Sequence, residues 1–201
     1  MALRAPRLQR WFTLIELMIV VAIVGILAIL AIFGVRKYLA NSKTAEATNT
    51  VGFLNHLSMA AWERDTVAAE FVTGTSSASL VHSLCAPSVA VPLAVASIRN
   101  KKYVANPTIG AAADYHTGSA TAGWKCLKFE MNHPQYYRYK YQPGGPVITT
   151  LVMPIAAGGW TAEAQGDLNG DSINSEFAAG GNIVNGVAIP LTQIAVNNPE
   201  E

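Results

Sequence analysis

"FTLIELMIVVAIVGILAILAIFGV", Phe12–Val35, is an apolar run interrupted only by Thr13, Glu16, Gly25 and Gly34. As a helix rising 1.5 Å per residue it would be about 36 Å long, enough to cross a bilayer. It carries a single carboxylate, Glu16, one turn inside its start. An acid at the centre of a membrane helix costs about 2.5 to 3.5 kcal/mol on insertion scales, so such charges face a partner or a pathway. Glu16 therefore calls for a counter-charge, unless it lies at the interface and snorkels out to water.

The flanks say which way the run points and where it goes next. Arg4, Arg7 and Arg10 precede it with no acid among them, which keeps the amino end cytoplasmic under the positive-inside rule. A cleaved secretory signal would pair a shorter apolar core with small residues at its end; here that pattern is missing, and the run reads as a retained anchor. Arg36 and Lys37 mark the exit from lipid. From there to Asp65 there is no proline, and Ala47, Val51, Leu54, Leu57 or Ser58, and Ala61 recur at helical spacing. The spacing predicts one continuous helix of about fifty residues, apolar all round in its first half and amphipathic in its second.

With 201 residues there is room for one modest globular head after that helix. The net charge is +1, but without the three leading arginines 11 basic side chains stand against 13 acidic ones, a balance of −2. A nearly neutral body gives no signal for nucleic acid. Cys85 and Cys126 are the only cysteines, and no CxxC or Cys/His spacing suggests zinc. In an exported head the default reading is a disulfide; two separate buried thiols are the alternative.

Within the head, "TGTSSAS" at Thr73–Ser79 reads as a connector, and the prolines of "PSVAVPLAV", Pro87–Val95, suit an edge or a loop. "WKCLKFEMN" from Trp124 alternates Leu127, Phe129 and Met131 with Lys128 and Glu130, which predicts a half-buried strand. "YYRYKY" sets Tyr137, Tyr139 and Tyr141 on one face, and the two segments read as an antiparallel hairpin. The tyrosine row reads as core packing with hydroxyls at the rim. "PVITTLVMP" is expected to add a third strand, and "NIVNGVAIP" a hairpin turning at Asn185-Gly186. The expected fold is α+β: a long helix whose amphipathic half is covered by a small antiparallel sheet.

One stretch of the head offers chemistry. In "GDLNGDSINSEF", Asp167, Asn169 and Asp171 alternate, with Ser175 and Glu176 close behind, and these hard oxygens could ligate a structural calcium. It is not an EF-hand, because Ser172 and Ala178 stand where that loop needs Gly and Glu; an ordinary solvated turn is the alternative. His56, His82, His116 and His133 are scattered, and there is no HExxH, GxSxG or phosphate loop. His116 near Asp114 reads as a loop pair rather than a catalytic dyad. No enzyme is expected.

"FTLIELMIVVAIVGIL" resembles the class III signal and hydrophobic helix of type IV pilins and pseudopilins, over about the first fifty residues. The resemblance implies a pilin ladle divided into a basic leader (1–11), a transmembrane and filament-core helix (12–35), its amphipathic continuation (36–64) and a β-rich head (65–201). It implies cleavage by a prepilin peptidase between Trp11 and Phe12, N-methylation of Phe12, and pairing of that new ammonium with Glu16 of a neighbouring subunit during assembly. It further implies a precursor in the bacterial inner membrane, then a homopolymer built by pilus assembly machinery into an extracellular fimbrium, as used in adhesion and motility. The family has Gly before the cut where this chain has Trp11, and many members carry a late proline where this chain has Phe33 and Gly34. A glycine costs about 1 kcal/mol in a helix where proline costs about 3, so a soft point rather than a kink is expected there. The alternatives to a major pilin are a minor pilin or a type II secretion pseudopilin, then an anchored adhesin or binding protein that does not polymerise.

Overall fold

The computed structural model of the protein describes residues 12–64, 66–67, 80–106 and 114–199. The leader, with its arginines and Trp11, and the Thr73–Ser79 connector lie outside the described residues. The chain divides into two compact units, Met1–Leu39 and Ala40–Glu201. Helix α1, Leu14–Glu63, begins in the first and ends in the second, without proline to interrupt it.

In the first unit none of the described residues covers the helix. Every large apolar side chain from Phe12 to Leu39 is more than half exposed, and an 18-residue window reaches a mean hydropathy of 3.1 with none of it buried. In the second unit α1 buries Ala47, Val51, Leu54, Asn55, Ser58 and Ala61, the stripe expected from steps of three and four. Two of these residues are polar. Asn55 Oδ1 accepts a 2.8 Å bond from Trp160 Nε1, and Ser58 Oγ donates back to Leu54 O.

The stripe packs on a five-stranded antiparallel sheet. Its strands are β3 (Arg138–Pro143), β4 (Trp160–Gly166), β5 (Ser175–Val184), β6 (Val187–Pro190) and β7 (Ala195–Asn197), after a separate β1–β2 pair at Thr66–Val67 and Leu80–Val81. The order is β3-β4-β5-β6, with β7 also pairing β5. Side chains alternate in register, as the pleat requires. Tyr139, Tyr141, Trp160, Ala162, Ala164, Phe177 and Ala179 join Val51 and Leu54 of α1 in one core. Ala178 belongs to a second, smaller cluster with Ile148 and Leu151. The sheet is thus filled from both faces, the helix on one and the segment 144–159 on the other.

Two strand expectations fail, the first of them in that segment. "PVITTLVMP" forms no strand: Ile148 and Leu151 dock three residues apart, Leu151 N–H bonds Ile148 O, and prolines close both ends. Side chains of the sheet hold its backbone instead. Glu163 accepts from the N–H groups of Val147 and Ile148, Thr161 Oγ1 donates to Gly144 O, and Asn182 bonds both Ala156 N–H and Pro154 O. "WKCLKFEMN" is not a strand either. Gly123–Leu127 is a short helix, α2, ended by Lys128 in the left-handed region (φ 58°). Leu127, Phe129 and Met131 are buried and alternate as expected, but no neighbour pairs with them. The partner of β3 is β4, with Tyr139 opposite Ala164, and the sequence reading assigns no strand there. The β5–β6 hairpin does form at Asn185-Gly186, both with positive φ.

Cys85 and Cys126 form a disulfide with Cα atoms 5.8 Å apart, across a sequence separation of 41. It ties the segment before the Pro87–Val95 loop to α2. A loop of this size removes about 4 kcal/mol of unfolded-state entropy in the chain-entropy model.

Candidate functional site

At the start of α1 the one carboxylate of the apolar run is tied into the helix end. Glu16 Oε2 accepts from Thr13 N and from Thr13 Oγ1, each at 2.8 Å, while Thr13 Oγ1 lies 3.3 Å from Glu16 N. This is a capping box: Thr13 is the N-cap, Glu16 is the third helical residue, and each side chain meets the other's backbone N–H. Phe12 stands immediately before it, 82 % exposed. The T-x-x-E spacing was there to be read in Thr13-Leu-Ile-Glu16, but the reading of Glu16 as a charge in search of a partner passed over it. The cap does not neutralise the carboxylate, since both donors are uncharged.

The acidic turn is brought together only in part. Asp167 is fully buried and accepts from Gly170 N–H at 2.6 Å and Ser172 N–H at 3.1 Å, with Arg99 Nε at 2.8 Å. Asn169 Oδ1 accepts from Asp171 N–H, and Asp171 Oδ1 from Ile173 N–H. Ser175 and Glu176 are adjacent residues of β5 and so project to opposite faces. Ser175 Oγ bonds Tyr137 OH and Gly166 O, whereas Glu176 receives Gln165, Thr150 and Asn197. The five side chains do not form one coordination set, and Arg99 supplies the counter-charge at the buried carboxylate. Among the described residues no group of three or more His, Cys, Asp and Glu could hold a metal ion.

The remaining polar groups serve packing. The tyrosine row lies inside the core rather than with its hydroxyls at a rim: Tyr139 OH donates to Glu46, Tyr141 OH to Cys85 O, and Tyr137 OH accepts from Ser175. Burial pushes the Tyr137 hydroxyl up to about 12. His116 pairs with Glu130, Nε2 to Oε1 3.1 Å, and Asp114 is bound by Tyr103 OH and Asn106 N–H, so these two do not make the expected loop pair.

Two glutamates that the sequence reading did not single out join elements. Glu46 Oε1 on α1 accepts from Tyr136 N–H at 2.9 Å and Tyr139 OH at 3.1 Å, which pins helix to sheet. Glu163 pins the 144–159 segment. Burial raises both above the ordinary glutamate range against the pull of their N–H donors and of His133 and Lys102 for Glu46, Lys140 and Arg138 for Glu163. A carboxyl raised by folding holds its proton more tightly in the native state, so its stabilising share is present in acid and is lost as pH rises through the folded value. Relative to Glu163→Gln, the wild-type protein is therefore expected to lose stability, and its melting temperature to fall, as pH rises from below the ordinary glutamate pKa of about 4.3 through the higher folded value. Thermal melts of both proteins across that range check it, and a constant difference would contradict it.

A family model described as the prokaryotic N-terminal methylation motif matches residues 10–32. No curated protein and no solved structure matches the chain. The matched segment contains Phe12, Thr13 and Glu16 and most of the uncovered helix, the same residues that the geometry sets apart from the head. It is a prepilin-type signal, which implies processing by a prepilin peptidase and handling by the matching assembly machinery.

Proposed function

We propose that this type IV pilin- or pseudopilin-like chain is the structural subunit of a type IV pilus, made as a membrane-anchored precursor and polymerised through Phe12–Val35. The observation that carries the reading is the bare helix: a window of mean hydropathy 3.1, none of it buried among the described residues. Such a surface needs lipid or a bundle of like helices, and a single subunit meets each in turn, first in the inner membrane and then in the core of an extracellular filament. Glu16 gives the second state its register. Among the described residues the carboxylate is held by the uncharged donors of Thr13; in a staggered bundle it would meet the terminal ammonium that cleavage frees on a neighbour's Phe12.

The mature protein is expected to begin at N-methylated Phe12, after cleavage of the Trp11–Phe12 bond, and to be the most abundant protein in sheared surface filaments. Intact-mass and N-terminal peptide analysis of that material tests both points. A terminus at Met1 in filaments would overturn the processing and the pairing together. A trace abundance would move the chain to the minor pilins or secretion pseudopilins, and a fully cell-bound, correctly processed protein would favour an anchored binding protein.

A further inference from the structure

The two cysteines of the head lie beside a cation and a cavity. Arg64 follows the last residue of α1, and its Nη2 donates to Cys126 O while lying 3.8 Å from Cys85 Sγ and 4.0 Å from Cys126 Sγ. A cavity of about 130 Å³ opens at the same place, lined by Ala61, Arg64, Ser83, Thr121 and Cys126, and Cys85 is not part of its wall. Cys85 is 1 % exposed and Cys126 6 %. The two cysteines are therefore inequivalent: Cys126 is a lining residue of the cavity and Cys85 is not, while one guanidinium serves both sulfurs.

We infer that this is a thiol–disulfide exchange site, in which a dithiol or its disulfide reacts at Cys126 Sγ and Arg64 stabilises the thiolates that form. In the reducing direction a thiolate of the partner bonds to Cys126 Sγ. The Cys85–Cys126 bond breaks, and its electron pair leaves on Cys85 Sγ beside Arg64. The partner's second thiolate then attacks its own sulfur in the mixed disulfide and releases Cys126 as a thiolate, also beside Arg64. The partner departs as its disulfide, the two protein thiolates take protons from solvent, and two electrons have passed to the protein. Run backwards, the same path closes the bond: Cys126 captures an oxidising disulfide first, and Cys85 resolves it. A neighbouring cation lowers a thiol's pKa, which raises its thiolate fraction and makes it a faster leaving group.

The reaction is measured on the full-length chain in detergent, with dithiothreitol as the dithiol. Arg64→Ala is expected to slow reduction about tenfold, because a thiolate without a neighbouring cation is the poorer leaving group, and Arg64→Lys to stay within about threefold of wild type. Loosening of the fold would act the other way, by exposing the bond, so an Arg64→Ala protein that reacts as fast as wild type or faster overturns the proposal. The attacked sulfur is identified on the wild-type chain with glutathione as the probe, by alkylating the free thiol and locating both labels by peptide mass spectrometry. Glutathione on Cys126 with the alkyl group on Cys85 is expected; the reverse pattern, or an even mixture, overturns it. Neither readout needs a filament, so the result stands apart from the polymerisation reading.

Discussion

Glu16→Ala leaves cells with a stable membrane pool of the protein and a filament yield at least about tenfold lower than wild type, an effect of 1.4 kcal/mol or more at the docking step. The expectation follows from what the carboxylate does in each state. In the bilayer the acid is a penalty, about 2.5 to 3.5 kcal/mol at a helix centre and less in the first turn, so its removal makes the anchored state more comfortable. In the bundle it is the group that a neighbour's freed ammonium would meet, so its removal takes away the reward for correct stagger. Both changes favour staying in the membrane. The capping box must be separated from this, because Glu16→Ala also strips a bond from Thr13 N–H. Thr13→Ala supplies the control: it loses the N-cap, worth about 0.5 to 2 kcal/mol of helix stability, and keeps the charge. Immunoblots of sheared and membrane fractions should show Thr13→Ala assembling far better than Glu16→Ala. Wild-type filament amounts from Glu16→Ala would remove the assembly role altogether.

Trp160→Ala is expected to be the most damaging change in the head, at about 3 to 5 kcal/mol for the lost ring and the cavity it leaves. For a chain of this size that is a fall of about 6 to 20 °C in melting temperature. Trp160 has no exposed surface, and it stands directly across from Gly181 in the β4–β5 ladder. Its indole fills the space a side chain would need there, since a Cβ on Gly181 would come within 2.4 Å of the ring. The ring also bonds Asn55 on α1, so the alanine variant leaves a buried amide oxygen without its donor, a further penalty of about 1 to 3 kcal/mol. Gly181→Ala should reproduce much of the loss by pushing the same ring out of place. Thermal melts followed by near-ultraviolet circular dichroism read both variants, and an unchanged transition for Trp160→Ala would contradict the packing described.

Trp160 also marks where legibility ended. "WTAEAQG" has two alanines, a glutamate and a glutamine, which favour helix over strand, and these mask the period-two alternation of Trp160, Ala162 and Ala164 with Thr161, Glu163 and Gln165. It is a central strand because β3 and β5 pair with it on either side and because Trp160, Ala162 and Ala164 are small or flat enough to lie under α1. The reverse error came at Leu127, Phe129 and Met131. Their alternation is real as burial, but a period of two reports only which side chains point inward, and a ladder needs a neighbour that is absent there. "PVITTLVMP" misled through composition, since β-branched residues fill a segment whose backbone is held by Glu163 and Asn182. The acidic turn was legible as a turn; its division between Arg99 on one side and β5 on the other was not, because Arg99 lies 68 positions before Asp167.

Taken by itself, the sequence determined the long helix, its uncovered apolar half, its buried stripe, the prepilin-type signal and the β5–β6 turn. Those features depend on residues within a few positions of one another, where helix period, hydropathy and positive φ act directly. Only the tertiary structure decided which strands pair, that the half-buried Glu46 and the buried Glu163 join helix, sheet and loop, and that Arg64 lies against both sulfurs. These are contacts between residues distant in the chain, and their partners are chosen by how the whole core fills space, which no local pattern records.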